Sequence, residues 1–182
     1  MSYCDHVQQL SADAPDRIYH DTLYGFPVQD DDELFGRLIL EINQAGLSWT
    51  TILKKAPHFR KAYDGFQIEN IASYSEADRQ RLLNDAGIIR NRLKIDATIY
   101  NAQEILRLKK SYDTLYKWLC HHHPLPLNEW VRLFRKHFKF TGGEITKEFL
   151  MSTGFLEGAH HRECPTYGVI STLKPPWSWT KE

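Results

Sequence analysis

Long hydrophobic runs are missing from this chain. No apolar stretch approaches the ~18 residues that cross a bilayer. Residues 1–10 hold Cys4, Asp5, His6 and two glutamines, a composition that does not read as a secretory signal. Cysteine is scarce. Three in 182 residues leave no disulfide framework and point to a reducing compartment. There is no β-alternation longer than a few residues, no internal repeat and no low-complexity segment. Net charge is absent too, because 23 basic residues balance 23 acidic ones. What is present is a chain of one-domain length with 42% hydrophobic residues, enough for a real core. No composition shift marks an internal boundary, so residues 1–182 read as a single domain.

The zero balance hides an asymmetry. Residues 1–50 hold two basic and nine acidic side chains, whereas residues 51–140 hold 17 basic and nine acidic. Lys54, Lys55, Arg60, Lys61, Arg79, Arg81, Arg90, Arg92, Lys94, Arg132, Arg135, Lys136 and Lys139 make up the basic middle. A stripe of this kind can neutralise phosphates, or it can be a solvated helical surface.

Helical periodicity accounts for nearly all of the chain. Asp30, Asp31 and Asp32 can cap a helix from Glu33 to about Gln44, with Leu34, Leu38, Ile39, Ile42 and Ala45 as its apolar stripe. Pro57 suits the first turn of another helix, containing Phe59 and Tyr63 and stopped by Gly65. Ser75, followed by Glu76 and Asp78, starts a helix that carries Leu82 and Leu83 and ends near Gly87. A long helix from about Asn91 carries Ile95, Ile99 and Ile105, and two more cover about 111–120 and 127–138. A final helix follows Gly142 and Gly143 with Ile145, Phe149 and Leu150, and the tail 174–180 reads as irregular.

Four features carry chemistry. Cys4, His20, His160 and Cys164 are a candidate tetrahedral zinc set; four such ligands leave no open position, so the site would staple rather than hydrolyse. His160 and Cys164 are spaced i, i+4, which on a helix places both on one face. Cys120 with His121, His122 and His123 is a rival cluster, although His122, His123 and Pro124 also suit a helix end. Glu41 lies on the edge of an apolar stripe, where a carboxylate either reaches water or faces a polar pocket. In Gln44-Ala-Gly-Leu-Ser-Trp49, Gly46 permits a turn with Leu47 at its tip and Ser48 capping the next helix. An apolar tip beside a basic surface suits a wedge between stacked bases; a plain helix corner is the other reading. In Phe138-Lys-Phe-Thr-Gly-Gly-Glu-Ile-Thr-Lys-Glu-Phe149, free N–H groups at a helix start can bind a phosphate, with Lys139 and Lys147 adding charge.

Taken together, these pieces resemble the DNA-3-methyladenine glycosylase I family, within the helix-hairpin-helix superfamily. The matching segments span nearly the whole chain. They are Cys4, Tyr19-His-Asp21, Gly25-Phe-Pro27, Glu41 with Gln44–Trp49, Leu53-Lys-Lys55, Asp85-Ala-Gly-Ile-Ile-Arg90 with Arg92 and Lys94, the 138–150 hairpin, and His160 with Cys164. The resemblance implies an all-α, two-lobed fold with its active site in the cleft between lobes. It implies a structural zinc on Cys4, His20, His160 and Cys164. It implies base excision from double-stranded DNA containing an alkylated purine: the damaged base is flipped out and its bond to the sugar is cleaved. Glu41 would be the pocket carboxylate, Tyr19 and Trp49 the aromatic walls, and Gln44, Gly46 and Leu47 the wedge. Thr141, Gly142 and Gly143 would anchor a phosphate. A monomer in a bacterial cytoplasm is the expected setting. The family also lacks the aspartate that most helix-hairpin-helix glycosylases place after the hairpin, and here no Asp follows Asp113.

The departures lie near the expected pocket. The family has Trp two residues after the first Cys, where this chain has His6. It has Glu-Trp-Gly after the His-Asp pair, where this chain has Leu23-Tyr24-Gly25. It has Pro-x-Tyr upstream of the Tyr-His pair, where Pro15-Asp-Arg17 is one residue shorter. His6 would stack on a purine and Tyr24 would donate a hydrogen bond. A zinc-stapled relative that recognises another lesion, or binds without cleaving, is the alternative these changes support.

Overall fold

The computed structural model describes residues 2–179, and within them the chain is all-helical, with no strand. The central element is α3 (Asp31–Gln44), in which Leu34, Phe35, Leu38, Ile39, Leu40 and Ile42 are all buried. A helix apolar on most sides must be covered on most sides. Here α4 (Trp49–Ala62), α7 (Arg92–Tyr112), α8 (Leu115–His122) and α10 (Gly143–Ser152) all pack against it. Gly36 is required at one of these contacts, since a Cβ there would lie 2.3 Å from the Phe66 ring. A second set of buried aromatics, Trp118, Trp130, Phe134, Phe138, Phe149 and Phe155, joins α8, α9 (Leu127–His137) and α10.

The three aspartates before α3 divide their labour. Asp30 caps α3, accepting from the Glu33 amide at 2.8 Å. Asp31 accepts from the Leu115 and Tyr116 amides, both at 3.0 Å, and so caps α8 across the fold. Asp32 accepts from the Ile68 amide at 2.9 Å and caps α5 (Ile68–Ala72). The periodicity assigned all three to one helix start; tertiary contacts assign two of them elsewhere.

Other expectations are corrected. Pro57 does not begin a helix but lies inside α4, which starts at Trp49 under a Ser48 cap. Proline in a helix interior forfeits one hydrogen bond, and here burial of Ile52 and Phe59 on either side carries the helix through. The helix begun at Ser75, α6 (Glu76–Leu83), stops before Gly87. The helix after Gly143 is not the last, because α11 (Pro165–Thr172) follows it. Pro165 at its first position makes Cys164 the N-cap, so His160 and Cys164 are not on one helix face. Two short helices near the start, α1 (Tyr3–Gln8) and α2 (Pro15–Thr22), were not foreseen. In the tail, Pro176–Ser178 forms a 3-10 turn, and Thr180 lies outside the described residues. No helix of the described residues is long and apolar enough to cross a membrane.

Candidate active site

A cavity of about 450 Å³ opens where α1, α2, α3, α4 and α10 meet. Tyr3, Tyr19, Tyr24 and Trp49 form its aromatic side, and Glu41, Gln44, Glu144, Ile145 and Glu148 the rest. The rings lock edge to face: Tyr19 meets Trp49 at 5.2 Å, and Tyr3 meets Tyr24 at 5.6 Å. Offset and edge contacts of this kind hold aromatic walls rigid while leaving faces free. The Tyr19 hydroxyl is buried and makes no hydrogen bond among the described residues; the neighbouring Ser152 hydroxyl donates instead to the Phe149 carbonyl.

Glu41 does not lie on the outer surface but faces this cavity. It is buried on α3, and burial pushes its carboxyl up to about 8, helped by the negative charge of Glu148 and opposed by Arg37. Glu148 stands on α10, which packs against α3. Its pKa is also raised, mainly by burial. The Tyr24 hydroxyl donates to Glu148 Oε2 at 3.0 Å.

The segment after Glu41 is a tight turn. Ala45 (φ −50°, ψ 116°) and Gly46 (φ +85°) have type II geometry, which requires glycine at the second position. The Leu47 amide donates to the Gln44 carbonyl, and the Gln44 side-chain amide donates to the Leu47 carbonyl, both at 2.8 Å. Leu47 is left 38% exposed at the tip. The buried Lys94 ammonium donates to the carbonyls of Asn43 and Ala45 at 3.3 Å, closing the end of α3 and pinning the turn from below. Lys55 holds the 85–90 loop similarly, through the carbonyls of Ala86 and Gly87.

At the α9–α10 hairpin, buried Asn101 clamps the Lys139 backbone through two hydrogen bonds of 2.8 and 3.1 Å. Thr141 is buried, with its hydroxyl donating to the Phe138 carbonyl, so it braces the hairpin and presents no free group. Gly142 and Gly143 have neither positive φ nor any neighbour within 4 Å of a Cβ. Neither backbone strain nor crowding within the fold demands glycine there. Their bareness leaves the N-terminus of α10 open to close approach.

Behind the aromatic wall, Cys4, His20, His160 and Cys164 converge, all buried, with ligand atoms within 4.8 Å of one another. Each Cys Sγ lies 3.7 Å from a His nitrogen, and His160 Nδ1 lies 3.1 Å from His20 Nε2. The outer nitrogens are occupied: His20 Nδ1 pairs with Asp21 at 2.7 Å, and His160 Nε2 with the Tyr24 carbonyl at 2.7 Å. Two buried thiols facing two imidazoles, each imidazole oriented from behind, form a donor set that could hold a metal ion. Cys120 with His121–His123 forms no such group among the described residues; His121 and His122 pack on Tyr112 instead.

The structure thus gathers Tyr19, Tyr24, Glu41, Gln44 and Trp49 around one cavity and puts Leu47 on the adjoining turn. His6 is not among them. It is exposed on α1, and Tyr3 of the same helix lines the cavity. Part of the basic stripe is absorbed by the fold, since Arg79 pairs with Asp96, Arg92 with Glu76 and Arg60 with Glu33. Tyr3, Glu144, Ile145 and Glu148 were missed. The only sequence signal was the i, i+4 spacing of Glu144 and Glu148, which also fits a solvated face.

Comparison with known proteins agrees with this geometry. Residues 10–133 match the methyladenine glycosylase family. The chain is 32% identical over 157 residues to DNA-3-methyladenine glycosylase 1 of Escherichia coli (strain K12), covering 76% of this chain and 84% of that one. It is 30% identical over 166 residues to DNA-3-methyladenine glycosylase of Haemophilus influenzae, covering 81% and 89%. Among solved structures, 3-methyladenine DNA glycosylase I from Staphylococcus aureus superposes with a TM-score of 0.78 at 29% identity, over 86% of this chain and 93% of that one. A variant of 3-methyladenine DNA glycosylase I in complex with 3-methyladenine gives 0.81 at 28% identity, over 91% and 97%. An all-helical fold carrying an aromatic cavity with a buried carboxylate, matched along most of its length, places this chain in the methyladenine glycosylase family.

Proposed function

We propose that this protein is a base-excision repair glycosylase, hydrolysing the N-glycosidic bond of 3-methyladenine in alkylated duplex DNA. The observation that carries this reading is Glu41, a buried carboxylate in a cavity walled by Tyr19, Tyr24 and Trp49. N3-methylation gives the base a positive charge, so it already leaves readily. When the bond from sugar to base breaks, the electron pair stays with the base and neutralises it. Water adds to the sugar carbon and loses a proton. What the protein must supply is selection and access. Aromatic faces attract the cation, and a carboxylate in a dry site distinguishes charged from neutral purine. Flipping costs a few kcal/mol; Leu47, on the turn shared with Gln44 and Gly46, would fill the gap left in the stack.

The helix-hairpin-helix element would be α9–α10, binding a DNA phosphate through the open amides beside Gly142 and Gly143. Cys4, His20, His160 and Cys164 would hold one structural zinc. Zinc bonds of about 2.0–2.1 Å to nitrogen and 2.3 Å to sulfur imply tetrahedral edges of roughly 3.3–3.8 Å; four of the six ligand-atom pairs lie at 3.1–3.7 Å and all six lie within 4.8 Å. The ion would tie the two ends of a single two-lobed glycosylase domain, residues 1–182, acting as a monomer.

The test is base release. N-methylated duplex DNA is incubated with the protein and the freed bases are separated by chromatography. Release of 3-methyladenine by wild type, abolished in Glu41→Ala, is expected. Folded protein that releases nothing would overturn the reading in favour of a binding-only relative or another lesion.

A further inference from the structure

We infer that Glu148 is a second recognition carboxylate of this cavity, and that it makes the pocket select for the positive charge of the base more than for its edge pattern. This rests on the glycosylase reading above. Glu148 lines the cavity from α10 as Glu41 does from α3. Its position is fixed by the Tyr24 hydroxyl at 3.0 Å. That single bond uses one of roughly four acceptor positions on the carboxylate, so acceptor capacity is left over. Tyr24 is the position where the resembled family carries Trp. An indole N–H can donate, but a phenol here reaches across to a carboxylate and orders it.

The electrostatics point the same way. Among the described residues no Lys or Arg lines the cavity, whereas Glu41, Glu144 and Glu148 all do. The charge of Glu148 acts on Glu41 and holds its proton more tightly. A neutral base entering between the two leaves that repulsion in place. A cationic base offsets it, so a second carboxylate increases discrimination by charge. Methylation of guanine at N7 creates the same single positive charge as methylation of adenine at N3. Its N1–H and N2–H groups are donors that a carboxylate can accept once the cation has drawn it into its ionised form. The chemical class admitted is therefore cationic N-methylated purines, guanine included.

A merely structural Glu148 would serve only to hold Tyr24, and the variants separate the two roles. Glu148→Gln keeps a carbonyl oxygen to accept from Tyr24 but removes the charge. Tyr24→Phe removes the bond and leaves the charge. Duplex DNA treated with dimethyl sulfate supplies 3-methyladenine and 7-methylguanine together, and kcat and KM are measured for each base, with thermal melts of every variant. Wild type is expected to release both. Glu148→Gln is expected to lower kcat/KM for 7-methylguanine at least ten times more than for 3-methyladenine, with Tyr24→Phe a smaller change in the same direction. Release of 3-methyladenine alone by wild type would overturn this inference and leave the glycosylase reading standing. So would an equal loss of both bases in Glu148→Gln. Release of neither base would sink the glycosylase reading itself.

Discussion

Glu41 sits seven residues after Leu34 on α3, in line with side chains that are fully buried, and its carboxyl is buried with them. A carboxyl whose folded pKa lies near 8, against an ordinary value of 4.5, keeps a proton that the unfolded chain releases within that window. The folded state then binds more protons than the unfolded one, so stability falls as pH rises from about 4.5 through 8. Glu148, raised in the same direction, adds to the slope. Glu41→Gln removes the ionisable group without changing shape. We expect its Tm to match wild type near pH 5 and to exceed it at pH 9, by about 1–4 kcal/mol in stability. Base release should be lost in the same variant. A Tm that stays below wild type at pH 9 would mean Glu41 is paired in the fold, not held for a ligand. The same protonation governs binding: a cationic base prefers the ionised carboxylate, so its affinity should climb from pH 6 and level off above pH 8. A flat profile would remove Glu41 from the contact.

At the scale of elements, the turn after α3 is an assembly. Gly46 supplies the positive φ, Gln44 ties the Leu47 carbonyl, and Lys94 of α7 closes the carbonyls of Asn43 and Ala45. Lys94→Met keeps the stem and loses the ammonium, leaving two carbonyls at a helix end without their donor. A loss of about 1–3 kcal/mol in stability is expected. A larger proportional fall in kcat/KM on duplex DNA should accompany it, because the wedge loses its base. Leu47→Ala should leave stability within about 0.5 kcal/mol of wild type, since the side chain is exposed, and still lower base release severalfold. If release is unchanged, Leu47 is not the wedge. Much of this was legible beforehand. Glycine inside a helical pattern, a leucine after it and a serine before the next apolar run identify a turn with an apolar tip. What was not legible is reach across the fold. Asp31 and Asp32 cap helices more than thirty residues away, Pro57 is carried inside α4 by its neighbours' burial, and Lys94 looks like one more member of a basic stripe. Glu148 was hidden for the same reason, as an i, i+4 glutamate pair looks solvated until α10 is laid against α3. The short helices α1 and α2 have too few residues for periodicity to declare them, and their stability comes from what they touch.

Over the whole molecule, the base cavity and the Cys/His cluster share a wall. Tyr3 faces the cavity and Cys4 the cluster; Tyr19 faces the cavity and His20 the cluster; Tyr24 lines the cavity and its carbonyl receives His160. Each of the three wall tyrosines is therefore next in sequence, or hydrogen-bonded, to a donor of the cluster. A bound ion would close a loop of 156 residues between Cys4 and His160. By analogy with covalent loop closure, that is worth roughly 5 kcal/mol, or a Tm shift of about 10–15 °C in a domain of this size. The central helices α3 and α7 do not depend on it, because their packing partners lie elsewhere. Chelation should then produce a separable result. Far-UV circular dichroism should change little, Tm should drop by about that amount, and the affinity for free 3-methyladenine should fall as Tyr3, Tyr19 and Tyr24 lose their fixed backing. His160→Ala should reproduce all three effects and be insensitive to added zinc. Loss of Tm with undiminished base affinity would mean the staple and the pocket are only neighbours, and the tyrosine wall is held by its own ring contacts.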